Sequence, residues 1–279
     1  MFGIIIAFKN YSITKGIPGM FTSPWAGFEH FREFFTDYRF LNLLENTLAI
    51  SLLKIIFSFS LPIILAIMLN EVRNAGFKKV VQTVSYLPHF ISWVIIAGLT
   101  SAFFADTTGL VNTFLANFHL ADKPVPFLTS PDYFWGLSVF TATWKETGWW
   151  SIIFLAAIAG IDPGLYEAAE MDGAGRLKRI WHITLPAIKS SIIVVLILTL
   201  GSLLGGGLIG ANFEQSFLLG NSMNNARSEI IQTYAFKTGL VDGRFDYATA
   251  IDLMQSVISV ILIFSSNYIA KKTTENSLF

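Results

Sequence analysis

Five stretches of this chain stay apolar over the width of a lipid bilayer: residues 46–70, 80–104, 133–160, 188–210 and 247–269. A helix needs about 20 such residues to cross roughly 30 Å of hydrocarbon, so each stretch can span. Inside hydrocarbon every backbone N–H and C=O must find its partner within the protein, which leaves helices or closed barrels. The runs are continuous rather than alternating, so they predict helices. The expected fold class is an all-α integral membrane protein, one transmembrane domain over residues 1–279. A hydrophobic content of 53%, a charged content of 14% and a mean hydropathy of +0.57 agree.

Composition also excludes partners and chemistries. A net charge of zero leaves no basic footprint for nucleic acid. With no cysteine, the chain has no disulfide, thiolate ligand or cysteine nucleophile. The four histidines, at 30, 89, 119 and 182, fall in different segments, so no metal site is expected. The opening residues 1–8, MFGIIIAF, are too short to span and lack the basic start and small-residue cleavage site of a signal peptide. They read as the last turns of a further helix whose beginning precedes the chain.

Lysine and arginine set the orientation. The connections at 71–79, 161–189 and 271–279 carry nine of them, whereas the opposite connections at 9–45, 106–132 and 211–246 carry eight over more than twice the length. The first set is therefore expected on the cytoplasmic side.

One of those basic connections is unusual. Residues 162–186, DPGLYEAAEMDGAGRLKRIWHITLP, form a charged segment between two oily ones. Asp162 followed by Pro163 is a helix start, an N-cap acceptor and then a ring whose fixed φ suits the first helical position. Leu165 to Met171 predicts two turns of helix, Gly173 a left-handed stop, and Arg176 to His182 a second, basic helix running toward Leu185-Pro186. Physics alone admits two readings: a short helix across the membrane face, narrow at Ala168 and Ala169, or a solvated loop with chance helicity.

The residues here carry a resemblance. Glu167-Ala168-Ala169, Asp172-Gly173-Ala174, Ile183 and Leu185-Pro186 resemble the EAA signature of permease subunits of bacterial ATP-binding-cassette importers. Tyr86 to Trp93, the run at 25–31 and Tyr247-Ala248-Thr249-Ala250 resemble its carbohydrate branch, in particular permeases for oligosaccharides and polysaccharide fragments. The resemblance covers residues 3–270. It implies a six-helix permease core, its first helix only partly present, in a bacterial plasma (inner) membrane. It implies that the 162–186 loop is a coupling helix docked in a cleft on a cytoplasmic ATPase, with Glu167, Ala168, Ala169, Asp172, Gly173, Leu185 and Pro186 as the coupling residues. The implied partners are a second homologous permease, two ATP-binding-cassette subunits, an extracytoplasmic solute-binding protein, membrane lipid and an oligosaccharide. No G-x-x-x-x-G-K-[ST] phosphate loop occurs, so no cofactor is expected in this chain, and ATP with its magnesium belongs to partner subunits.

Ionisable groups at membrane depth are costly and tend to face an interior cavity. Lys145 and Glu146, beside Trp144, Trp149 and Trp150, are candidates for the substrate path, the indoles offering faces for sugar rings. Asn212, Glu214 and Gln215 either join the path or cap a helix end. Lys54 reads as snorkelling to the outer interface, and Asp252 stands where the resemblance implies a small residue. Lys54, Lys145, Arg227 and Arg244 would suit an acidic, uronate-type oligosaccharide, and neutral sugars stay open.

The run Gly205 to Gly210 matches G-x-G-x-x-G but follows no strand, which removes the dinucleotide reading. With Gly201 it either lets helices approach closely or unwinds along the path. Phe28, Phe31 and Phe35 predict an amphipathic helix on the outer membrane surface. The long 211–246 connection suits docking of the binding protein or gating. An ion-coupled secondary transporter is the rival class; it would leave the 162–186 signature unexplained, and no internal repeat supports it.

Overall fold

The structure is a computed structural model describing residues 2–201 and 212–274. Those residues are helices and turns, and the only β pairing among them is one isolated antiparallel bridge, Lys9 with Trp25. Among the described residues two helices are long and apolar enough to cross a membrane unaided, Phe40–Glu71 (α2) and Phe245–Thr274 (α11); where each of three bent helix pairs makes one span, the number is five. Helix α1 is Glu29–Thr36, α3 Ala75–Phe90, α4 Trp93–Phe104 and α5 Phe134–Ala159. After them come Pro163–Met171 (α6), Arg176–Ala187 (α7), Lys189–Gly201 (α8), Asn212–Leu219 (α9) and Ile231–Leu240 (α10).

Two expectations about the spans are corrected. Residues 80–104 are not one straight crossing: α3 and α4 meet at 103°. Pro88 cannot donate to the preceding turn. Leu87–Phe90 tightens to a 3-10 turn, and Ser92 starts a new helix by accepting from Ile95 N at 3.4 Å. The opening stretch is likewise not α-helical. Phe2–Phe8 is a 3-10 helix that packs on α11 and buries Ile6 and Ala7. The Phe8 carbonyl accepts from Ala26 N at 2.8 Å, and Tyr11 N donates to Asp246 Oδ2 at 3.1 Å.

Lipid tails are as apolar as leucine, so close packing rather than desolvation holds such helices together. The second half of α2 lies along α5, and Phe59 and Ala66 pack there with Phe154, Ile158, Ile188 and Val195 near the basic end. A π-turn at Ile55–Phe59 interrupts α2. At Gly148 a Cβ would collide with the Ser85 carbonyl, so α3 crosses α5 at backbone distance. At Gly201 a Cβ would collide with Ile263, which gives this one glycine of the run the packing role; Gly205 to Gly210 lie outside the described residues.

At the opposite end Phe34, Leu43, Ile231, Tyr234, Tyr247 and Ile251 form a second core. Helix α1 is amphipathic, and its buried face is His30 and Phe34. Of the expected stripe, Phe28 and Phe35 are exposed, whereas Phe31 is half-buried and packs on Phe8 with ring centroids 5.4 Å apart. Short helices fill the 211–246 connection and tie it back by ion pairs. Arg244 pairs bidentately with Glu33 at 2.6 Å, and Arg227 pairs with Glu45 while its guanidinium sits 4.5 Å over the Trp135 ring.

Candidate functional site: the coupling segment and the buried polar clusters

The segment after α5 folds as its sequence predicts. Asp162 Oδ1 accepts from Gly164 N at 2.9 Å, Pro163 takes the first helical position, and α6 departs from α5 at 70°. Gly173 closes the helix at φ +75°, with Gly173 N donating to Glu170 O at 3.0 Å and Ala174 N to Ala169 O at 2.8 Å. That pair of bonds is a Schellman ending, and it needs a left-handed residue just past the cap. The chain then doubles back as α7, which meets α8 at 60°. Tyr166 OH and Thr184 Oγ1 are 2.9 Å apart and Arg179 donates to Glu170 at 3.2 Å, so α6 and α7 form one braced hairpin.

The hairpin buries nothing along α6. Glu167, Ala168, Asp172, Gly173 and Pro186 are exposed, whereas Ala169 and Leu185 are half-buried, so the two alanines do not share one open face. Around them stand large apolar side chains: Met171 is 90% exposed, Leu177 73% and Trp181 67%. Large apolar side chains thus stand open on a charged segment.

Between the ends, ionisable groups gather in two clusters. Lys145 Nζ donates to the His89 carbonyl, lies 3.7 Å from Glu146 and sits 5.6 Å over the Trp93 ring. Glu146 Oε2 and His89 Nδ1 share a hydrogen bond of 2.9 Å. The imidazole stacks on Trp149, centroids 4.3 Å apart. This cluster clasps the 3-10 turn at the α3–α4 bend to the middle of α5.

In the second cluster Lys54 donates to Asn212 Oδ1 at 2.5 Å and to Gln215 Oε1. Asn212 Nδ2 donates to Ser51 Oγ at 2.9 Å, and Gln215 Nε2 to Ser138 O at 2.8 Å and Thr141 Oγ1 at 2.7 Å. Lys54 is only 4% exposed. Its expected snorkelling is corrected: amide oxygens arriving from α9 satisfy the ammonium inside the protein, so it need not reach water. Asn212 and Gln215 fasten α9 to α2 and α5.

The remaining candidates stand apart. Glu214 is exposed, and Trp144 faces an apolar cavity of about 530 Å³ with Ile96, Leu99, Phe103 and Phe140. The hydroxyls in that wall, Thr100 and Thr141, donate to their own helix carbonyls at 2.8 Å. Asp252 lines another cavity, of about 330 Å³, with Phe213, Phe236 and Phe245. All four basic side chains expected to await an acidic substrate have partners within the chain: Lys54 and Lys145 in these clusters, Arg227 on Glu45, Arg244 on Glu33.

Sequence reasoning missed His89, Ser51, Ser138 and Thr141. For the three hydroxyls the signal was helical spacing: Ser51, Lys54 and Ser58 recur at i, i+3 and i+7 on α2, and Ser138, Thr141 and Lys145 do the same on α5.

A bundle of apolar helices with buried polar clusters and a braced hairpin projecting from its basic end is the architecture of a membrane transport subunit. The chain belongs to the family of binding-protein-dependent transport system inner membrane components, whose model matches residues 58–275. It is similar to the protein LplB of Bacillus subtilis (strain 168), 47% identical over all of this chain and 85% of that protein. To the polygalacturonan/rhamnogalacturonan transport system permease protein YteP of the same bacterium it is 44% identical, again over all of this chain and 84% of that protein. Its fold is similar to a chain in the crystal structure of a bacterial ABC transporter involved in the import of the acidic polysaccharide alginate. There the TM-score is 0.88 at 39% identity, covering 98% of this chain and 88% of that one. A second match, with TM-score 0.85 and 39% identity over 90% of this chain and 85% of the other, is to the alginate transporter in complex with alginate pentasaccharide-bound periplasmic protein. Family and fold thus agree with an ABC importer permease, and the secondary-transporter reading falls.

Proposed function

We propose that this chain, paired with a second homologous permease, forms the path by which an oligosaccharide of the acidic, uronate-containing type is imported across a bacterial inner membrane. An extracytoplasmic binding protein delivers the cargo. Two cytoplasmic ATP-binding-cassette subunits bind ATP with its magnesium, hydrolyse it and dock at residues 162–186, with Glu167, Ala168, Ala169, Asp172, Gly173, Leu185 and Pro186 at the contact. The observation that carries the reading is the hairpin, capped at Asp162, stopped at Gly173, and exposing Met171, Leu177 and Trp181. Large apolar side chains left open among charged ones fit a protein interface, and a braced hairpin transmits a rigid-body movement where a loop would absorb it.

The acidic class of cargo rests on the relatives, not on free basic residues. Polygalacturonan and alginate stand in the descriptions of proteins 44% and 39% identical to this chain. Lys145, Glu146 and Trp149 hold the α3–α4 bend next to the path, and Lys54, Asn212 and Gln215 hold α9 there; movement of α6 reaches the first cluster through α5, which carries both. Trp144 offers the path an apolar wall. Glu214, exposed on α9, supplies a carboxylate there.

The test is ATP hydrolysis by the reconstituted importer with its binding protein, over a panel of neutral and uronate oligosaccharides. Stimulation by uronates alone, lost in Gly173→Trp, is the expected result. Stimulation by neutral sugars alone would overturn the cargo, and hydrolysis indifferent to Gly173→Trp would overturn the coupling role.

A further inference from the structure

A further cavity lies at the end of the molecule away from the hairpin. It measures about 380 Å³, within the roughly 300–1,000 Å³ of small-molecule sites. Its wall is built by α9, α10 and the connection between them, from Ser216, Phe217, Asn225, Ser228, Glu229 and Lys237. Five of these six are polar, in contrast to the apolar cavity beside Trp144.

We propose that this cavity is a saccharide subsite that receives one sugar ring of the oligosaccharide as it passes from the binding protein into the path. The inference rests on the function proposed above. Ser216 is 4% exposed, and its Oγ has no hydrogen-bond partner among the described residues. A buried hydroxyl in that state costs stability until something polar fills the space beside it. Glu229, itself buried, accepts from Lys237 Nζ at 2.8 Å through one carboxylate oxygen. The pair leaves the second oxygen to accept and further ammonium hydrogens to donate, a combination that suits neighbouring hydroxyls on one ring. Phe217, half exposed, adds an apolar ring face for the C–H side of the sugar.

The pocket is also pre-formed, which lowers the entropic cost of binding. Asn221 and Asn224 both donate to the Leu128 carbonyl, at 2.9 and 2.8 Å, and fix the connection. Gln215, next to Ser216, is held by Lys54, Ser138 and Thr141. Gly220 leaves the room: a Cβ there would collide with the Ser216 carbonyl and stand 3.0 Å from Ser228 Oγ.

The test uses the whole importer in proteoliposomes with its loaded binding protein, and reads uptake of labelled oligosaccharide alongside ATPase stimulation by the binding protein. Ser216→Ala removes the buried hydroxyl with little risk to folding, and Asn225→Leu replaces a polar wall by an apolar one. Uptake at low substrate should fall about 2- to 10-fold in each, the size of one lost neutral hydrogen bond, while ATPase stimulation is retained. Unchanged uptake in both variants would mean the cavity holds water only, and overturn the subsite. A parallel fall of uptake and ATPase stimulation would mean that it receives the binding protein instead, which also overturns it. Wild-type vesicles that take up no saccharide would overturn the function itself, and the subsite with it.

Discussion

The two ends of this molecule solve the same problem differently. At the end carrying α1 and α10, charged and aromatic groups find partners within the chain: Arg244 on Glu33, Arg227 on Glu45, Lys237 on Glu229, and Tyr234 OH on Asp37 at 2.6 Å. At the basic end, α6 buries no residue and Met171, Leu177 and Trp181 are left uncovered. The first end is a platform braced by ion pairs within the chain; the second exposes large apolar groups on a braced hairpin, the surface proposed above to receive the ATPase subunits. Substitutions in the platform's ion pairs should therefore change stability, and substitutions at the hairpin should change transport with little effect on folding.

The largest effect is expected from the double variant Met171→Asp with Trp181→Asp. Uptake should drop by more than about tenfold, since an unpaired charge at an interface centre costs several kcal/mol. Thermal unfolding of the solubilised chain should stay within about 0.5 kcal/mol of wild type, as for other exposed positions. A large loss of stability would break the comparison.

Lys54→Met sharpens it from the middle of the membrane. Removing the ammonium leaves the Asn212 carbonyl oxygen without that donor, at about 1–3 kcal/mol, whereas Gln215 Oε1 keeps Ser138 Oγ at 3.0 Å. Chemical unfolding should shift by that amount, and protease cleavage near α9 should rise; an unshifted transition would mean that Lys54 does not hold α9.

The smallest effect belongs to the platform. Hydrogen bonding from Arg244 holds the Glu33 carboxyl below its ordinary value of 4.5. A depressed folded-state pKa contributes stability that is present above 4.5 and lost as pH falls through the folded value. Both partners are about two-fifths exposed, so solvent screening limits the pair to about 0.2–1 kcal/mol. Melting temperature should decline slightly more steeply below that pH in wild type than in Glu33→Gln, and identical profiles would remove the pair from the account. Tyr234, raised by burial and by donating to Asp37, keeps its proton through the same range.

What the sequence made legible follows the range of the interactions. Asp162, Pro163 and Gly173 act within a few residues of themselves, and the helix start and left-handed stop came out as expected. The apolar runs were legible because a bilayer imposes its length locally. The 103° bend was written in Pro88 and Ser92, but apolar continuity over 80–104 outweighed it. Lys54 was misread because its partner, Asn212, is 158 residues away, and no local pattern announces an amide arriving from another helix. His89 was passed over among scattered histidines because Glu146 is 57 residues distant. Around α1 the spacing anticipated the exposure of Phe28 and Phe35 but not the packing of Phe31 on Phe8, 23 residues away, nor the bond from His30 to the Lys9 carbonyl, 21 residues away.

The central claim is that the hairpin is a covered surface in the assembled importer. The chain contains no cysteine, so Met171→Cys introduces a single thiol whose maleimide labelling can be read on this subunit alone. Labelling should be fast in membranes holding the permease pair without its ATPase subunits and strongly slowed when they are present, while Phe28→Cys at the far end is labelled equally in both. Equal rates at Met171→Cys with and without the ATPase subunits would contradict the account.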